Sequence, residues 1–311
     1  KKANNFVFST GYAQMRPYGD SRFLFSLVQT SDFVKIVLDN CTGTSYPAIS
    51  SFDLAKIKQY FPEQEEQKQI GSFFKNIDEL ITKHQQKHKN LVNLKKSMLE
   101  KMFPKEGQNV PEIRFKGFEG DWEECEFQEI ATIKRGLTYS PSNLRKTGTR
   151  VLRSSNIFEN RFIKRVDDVF VDDTAINIEY VKEGDILITA ANGSSKLVGK
   201  HALIIGTKGK VVHGGFMLLA SSNVPLFLNA STSSSWYKKF VILYTAGGGG
   251  SIGNLNKSDL DQQKIYVPAD GNEQLKIGKY FQNIDTLITN HLEQLQKLKN
   301  FKQSLSEKMF V

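Results

Sequence analysis

EQKQIGSFFKNIDELITKHQQKHKNLVNLKKSMLEKMF at residues 66–103 returns as EQLKIGKYFQNIDTLITNHLEQLQKLKNFKQSLSEKMF at residues 273–310. The offset is 207 residues without a gap, and 20 of the 38 positions are identical, so the chain contains a duplication. Both copies read as long helices. Steps of seven from Ile70 meet Ile77, His84, Leu91 and Met98; from Ile277 they meet Ile284, His291, Leu298 and Leu305. A second row runs through Phe73, Leu80, Lys87, Leu94 and Lys101, and through Tyr280, Leu287, Gln294, Phe301 and Lys308. This heptad period predicts a coiled-coil seam. Each helix would be about 55 Å long, and neither can bury its stripe alone. The simplest partner for each is the other; packing of each on its own domain is the alternative. His84 and His291 share one seam position near mid-helix, so an antiparallel pair would bring them within about a turn and let them fix register.

The duplication extends upstream. SSFDLAKIKQYFP, ending at Pro62, matches KSDLDQQKIYVP, ending at Pro268, and STGYAQMRP near Gly11 resembles HGGFMLLAS near Gly215. Each helix thus follows a similar domain, complete once and represented at residues 1–62 by its second half, whose first half is expected to precede Lys1. Within the complete domain, VLRSSNI, DVFV, GDILITA, HALIIG, VVHGGFMLL and KKFVILYTA are β-rich and divided by Gly, Asn, Asp and Ser. WYKKFVILYT also fits a helix.

Composition bounds the function. The 311 residues are 39% hydrophobic and 11% aromatic, enough for two packed domains. The richest apolar stretch, FMLLASSNVPLFL, is broken by polar residues and a proline, so no membrane partner is expected. Cys41 and Cys125 build no disulfide framework or metal motif, which fits a cytoplasmic location. The net charge of +9 favours a polyanionic partner. Nine basic residues between Lys134 and Arg165 face one acid, Glu159, and the rest of the chain is nearly balanced.

PEIRFKGFEGDWEECEFQEIATIKRG, then LRSSNI, EGDILIT before a glycine-containing loop, and GGGGSIGNLNKSDL together resemble a target-recognition domain of type I restriction-modification specificity subunits. The helices with IGxFFxNIDxLIT and an SxxEKMF ending resemble the conserved regions of the same family, and the likeness spans nearly the whole chain. It implies an α+β fold: β-rich α/β target-recognition domains joined by two long helices that form an antiparallel coiled coil, in a pseudo-twofold repeat. The expected divisions are 1–62 for the C-terminal half of a first domain, 63–104 for the first helix, 105–268 for the second domain and 269–311 for the second helix. The family reads a bipartite site on double-stranded DNA, with the helices as a ruler for the spacer. It assembles with two methyltransferase (modification) subunits and with restriction subunits. The specificity subunit carries no catalytic residues, and S-adenosylmethionine is expected on the partner methyltransferase, not on this chain.

The basic run is the first DNA-contact candidate, through Lys134, Arg135, Arg145, Lys146, Arg150, Arg153, Ser154, Asn156 and Arg161, because arginine forks pair with guanine edges and lysines neutralise phosphates. A second is ANGSSKLVGKH at residues 191–201, through Asn192, Lys196 and Lys200. It is no nucleotide loop: five residues separate Gly193 from Gly199, and His201 stands where Ser or Thr is needed. In the half domain the candidates are Arg16, Tyr18 and Arg22. The GxGxxG at Gly248, Gly250 and Gly253 reads as a tight turn, since no helix and distant acid follow it. His84 and His88 have helical metal spacing but no third ligand. Asp167-Asp168 and Asp172-Asp173 read as solvated turns, and the absence of any Pro-Pro excludes an NPPY-like methyltransferase loop. The rival readings are the recognition part of a fused restriction-methyltransferase enzyme and a structural coiled-coil adaptor.

Overall fold

The computed structural model describes residues 9, 11–43, 45–245 and 254–310. They form two compact units, residues 1–91 with 287–311 and residues 92–286, so the division falls inside both long helices instead of at their ends. Among the described residues no helix is long and apolar enough to cross a membrane.

The first unit opens with three short helices, each started by a side-chain cap. Asp20 accepts from the backbone N–H of Arg22 and Phe23 to start α1 (Ser21–Leu27), Thr30 starts α2 (Ser31–Asp39), and Ser50 starts α3 (Ser51–Lys56). The helix α4 (Gln64–Lys101) follows. Phe23 and Leu27 from α1 pack on Ile70 and Phe74 of α4 and on Phe310. The Phe310 ring centroid lies 5.1 Å from that of Phe23 and 5.4 Å from that of Phe74.

The second unit contains β1 (Glu123–Glu126), α5 (Phe127–Ile130), β2 (Thr132–Arg135), β3 (Leu144–Arg145), β4 (Thr149–Leu152), β5 (Ile157–Phe158), β6 (Arg161–Phe162), β7 (Val169–Val171), β8 (Ile186–Thr189), β9 (His201–Leu203), β10 (Val211–His213) and β11 (Met217–Ser221). Then come α6 (Pro225–Ser231), α7 (Ser235–Thr245), α8 (Lys257–Asp261), β12 (Lys264–Val267) and α9 (Gly271–Met309), which continues into the first unit. One sheet has the order β2-β11-β8-β9 and is antiparallel; the other, β10-β4-β7-β3, pairs β10 with β4 in parallel. β1 pairs with β12, and β5 with β6. The main core, around Leu152, Leu187, Ala202, Ile204, Met217 and Leu219, draws on both sheets.

The apolar run at residues 238–246 forms no strand where the structure describes it. α7 takes the helical alternative, because Tyr237 and Phe240 stand three apart and are both buried on one face. Phe103 repeats the role of Phe310: its ring centroid is 5.9 Å from that of Phe227 in α6 and 6.1 Å from that of Phe281 in α9. The short helices of the first unit therefore repeat α6, α7 and α8 of the second.

Within the first unit α4 and α9 run antiparallel. Lys302 Nζ reaches Asp78 Oδ1 at 2.6 Å, and His84 Nδ1 meets His291 Nδ1 at 3.0 Å. In the second unit Lys95 Nζ reaches Asp285 Oδ1 at 2.6 Å, the same contact moved by the repeat offset. The second seam row is corrected. Phe73, Leu80 and Leu94 are exposed, as are Leu287 and Phe301, whereas Phe74, Phe281 and Leu295 are buried. The seam steps four residues on from Ile70 and Ile277, not three, because Phe74 and Phe281 face the aromatic clusters.

Gly71 and Gly278 explain the glycine inside each helix. A Cβ on Gly71 would lie 2.7 Å from the Phe23 nitrogen, and one on Gly278 2.6 Å from the Phe227 nitrogen. Gly278→Ala is therefore expected to lower stability by about 1–3 kcal/mol through overpacking, although alanine is the better helix former. A melting temperature equal to that of the parent would refute this.

Candidate nucleic-acid interface

The two four-stranded sheets of the second unit are joined by a three-residue turn, Gly214, Gly215 and Phe216, between β10 and β11. Three other segments are tied to this turn by backbone bonds. Leu137 N–H donates to His213 O at 2.7 Å, and Gly214 N–H donates to Leu152 O at 2.9 Å. Ala190 and Ala191 both donate to Phe216 O, at 3.0 and 3.1 Å. The approach is close: a Cβ on Gly136 would fall 1.9 Å from Gly214 O, and one on Gly215 3.2 Å from Thr138 Oγ1. So the segments carrying Arg135, Arg153–Asn156 and Asn192–Lys200 leave the sheets around one anchored turn. Asn192 Nδ2 links two of them, donating to Ser154 Oγ at 3.0 Å.

Five of the nine cations in the basic run are paired with carboxylates. Most of the partner acids come from farther along the chain; Glu159 lies within the run itself. Lys134 pairs with Glu179 at 2.6 Å, Arg145 with Asp172 at 3.0 Å, and Arg165 with Asp167 at 2.7 Å; Arg150 pairs with Asp168, and Arg161 with Glu159 at 3.7 Å. The carboxyls of Glu179, Asp167 and Asp173 sit below their ordinary range, each chiefly through the cation bonded to it, and Asp172 chiefly through the Thr174 backbone N–H. Asp168 is no solvated turn residue. It is buried and accepts from Asn156 Nδ2 at 2.6 Å and from the Arg165 N–H at 3.1 Å. A buried carboxylate needs such partners, so Asp168 organises the loop.

Asn156 is fully buried and accepts from the Arg153 N–H at 2.8 Å, so it shapes the loop and does not project from it. Arg150 lies over the Phe170 ring, 4.9 Å from its centroid, and is likewise committed to the fold. Arg153 Nη2 donates to Asp167 O at 3.2 Å. Arg135, Lys146 and Lys196 are exposed and Lys200 is half-buried; none has an ion pair among the described residues. In the first unit, Arg16 and Tyr18 are exposed. Arg22 is engaged with Asp20, whose carboxyl it holds down at about 2. The glycines at 248, 250 and 253 lie outside the described residues.

Sequence reasoning missed the turn itself. Phe216 is 75% exposed between buried strands. The available signal was the Gly-Gly before an aromatic, at the position where the first copy has Gly11-Tyr12.

Residues 2–93 and 119–300 match the family model of the type I restriction modification DNA specificity domain. The chain belongs to this family. A type I restriction enzyme MjaVIII specificity subunit from Methanocaldococcus jannaschii is 28% identical over 178 residues, 54% of this chain and 40% of that protein. The chain thus spans about two-fifths of that relative. The fold is similar to an S subunit of a type I restriction-modification system from M. genitalium, with a TM-score of 0.57 at 15% identity over 93% of this chain and 72% of the other. It is also similar to a chain from a structural study of complex assembly and conformational transition of the type I R-M system, with a TM-score of 0.53 at 19% identity over 94% and 71%. The HsdS subunit of Thermoanaerobacter tengcongensis gives 0.50 at 18% over 93% and 69%. At such identities these likenesses concern the fold alone.

Proposed function

We propose that this specificity-domain protein reads a bipartite site on double-stranded DNA and places the modification machinery of a type I restriction-modification complex on it. The second unit reads one half-site through the segments gathered at the Gly214–Gly215–Phe216 turn, and residues 1–62 contribute to the other. Two methyltransferase subunits dock on the chain and bring S-adenosylmethionine; restriction subunits join them. The chain itself recognises and supplies no catalytic group. The observation that carries this reading is the convergence of three segments, with cations that have no ion pair among the described residues, on one hydrogen-bonded turn in a member of a DNA specificity family. Phosphate contacts position such a protein, and groups that reach base edges specify its site.

The test is selection from a random DNA library, using the chain co-purified with its methyltransferase subunits. A split motif with a fixed gap is expected. No enrichment by an intact complex would leave the coiled-coil adaptor reading. Replacing Arg135, Lys196 and Lys200 together with alanine is expected to reduce the slope of log affinity against log salt by about 3 if each meets a phosphate. An unchanged slope removes these three from the interface.

A further inference from the structure

Phe216 stands apart from the other groups at the turn. Met217 after it and Gly214 two residues before it are buried, Gly215 is exposed, and Phe216 itself is 75% exposed. Its carbonyl is held by two backbone donors, and the two glycines before it offer no side chain to cover the ring. A single exposed aromatic needs no explanation by itself. This one is repeated. With the offset of 204 that places Phe23 on Phe227, Phe216 falls on Tyr12, which is also 75% exposed and also follows a glycine. Both copies therefore carry an exposed aromatic after a glycine at this repeat position, though little else around it is shared.

We propose that Phe216 is a specificity-determining residue that makes an apolar contact with the bases at one step of the DNA half-site. The inference rests on the DNA-reading function proposed above. The physical case is that arginine and lysine beside the turn supply attraction to phosphates that is blind to sequence. A ring carried on this hydrogen-bonded backbone can instead meet a thymine methyl or press into a base step, at a cost that depends on the bases present. The bonded backbone matters, since a ring on a mobile loop would incur a larger ordering cost on binding.

The experiment repeats the library selection with Phe216→Ala and Phe216→Leu in the intact methyltransferase complex, and measures the salt dependence of binding to the selected site. Phe216→Ala is expected to lose at least about fivefold of the preference at one base pair or step within one block of the motif. The rest of the motif, the salt slope and the melting temperature should stay as in the parent. Phe216→Leu, still apolar, should keep part of the preference. An unchanged motif with Phe216→Ala overturns the proposal, as does an equal loss of affinity for every sequence. A parent complex that enriches nothing overturns the DNA-reading function and this contact together, so the two failures are told apart.

Discussion

Arg114→Met is expected to destabilise the second unit by about 3–5 kcal/mol, read as a lowered denaturant midpoint with an unchanged slope. Glu273, in the first turn of α9, is completely buried. Its two oxygens are held by Arg114 Nε and Nη2, both at 2.7 Å, and Arg114 Nη1 donates to Gly120 O at 2.5 Å. Methionine keeps much of the volume of the arginine stem but leaves a carboxylate without a counter-charge inside the protein. The double variant Arg114→Met with Glu273→Met should recover most of the loss, because the penalty comes from the stranded charge and not from the missing pair. The repeat supplies a control. Glu66 occupies the position of Glu273 in the first copy; it is exposed and has no ion pair among the described residues. Glu66→Gln is therefore expected to change stability by no more than about 0.5 kcal/mol. Equal costs at Glu66 and Glu273 would refute the account.

The contrast shows what the sequence could and could not disclose. An ungapped repeat of two long amphipathic segments was legible, since it needs only comparison of the chain with itself. The observed helices begin and end within two residues of the repeated stretches. The meeting of His84 with His291 was legible for the same reason, as both sit at one repeat position near the middle of an antiparallel pair. The second seam row was not, because Phe73 and Phe74 are adjacent and either could begin a heptad row. The aromatic clusters at the helix ends choose Phe74, and those clusters are tertiary. Pairing of the basic run was hidden for a related reason. Its acids come mostly from later segments, as Glu179 does for Lys134, and are returned by sheet formation. Phe216 was concealed inside what reads as one continuous strand, VVHGGFMLL. The glycines break it, and the turn has meaning only once the strands on either side belong to different sheets.

Acidification is expected to weaken the second unit through His201 before most of its carboxylates titrate. The His201 ring is buried; its Nε2 lies 3.1 Å from Ser233 Oγ, and the Tyr237 ring stands edge-on at a centroid distance of 5.2 Å. Burial first, and the Lys95 charge second, lower its pKa from 6.5 to about 4. The sign follows from comparing the two states. Above the ordinary value of 6.5 the ring is neutral whether the chain is folded or not, and stability is undiminished. As pH falls from there, the unfolded chain takes up a proton that the folded chain refuses until about 4. Over that window stability should decline by about 3 kcal/mol and then level off for this group. His213, lowered mainly by burial, adds to the loss in the same direction. Denaturant midpoints measured at roughly pH 7.5, 6.5, 5.5 and 4.5, which span most of the window between the two pKa values, should show this decline in the parent chain. His201→Gln keeps a polar group near Ser233 without an ionisable ring, so its stability should be lower at neutral pH but fall less steeply with acid. A variant that loses stability with acid as steeply as the parent would assign the effect to other groups.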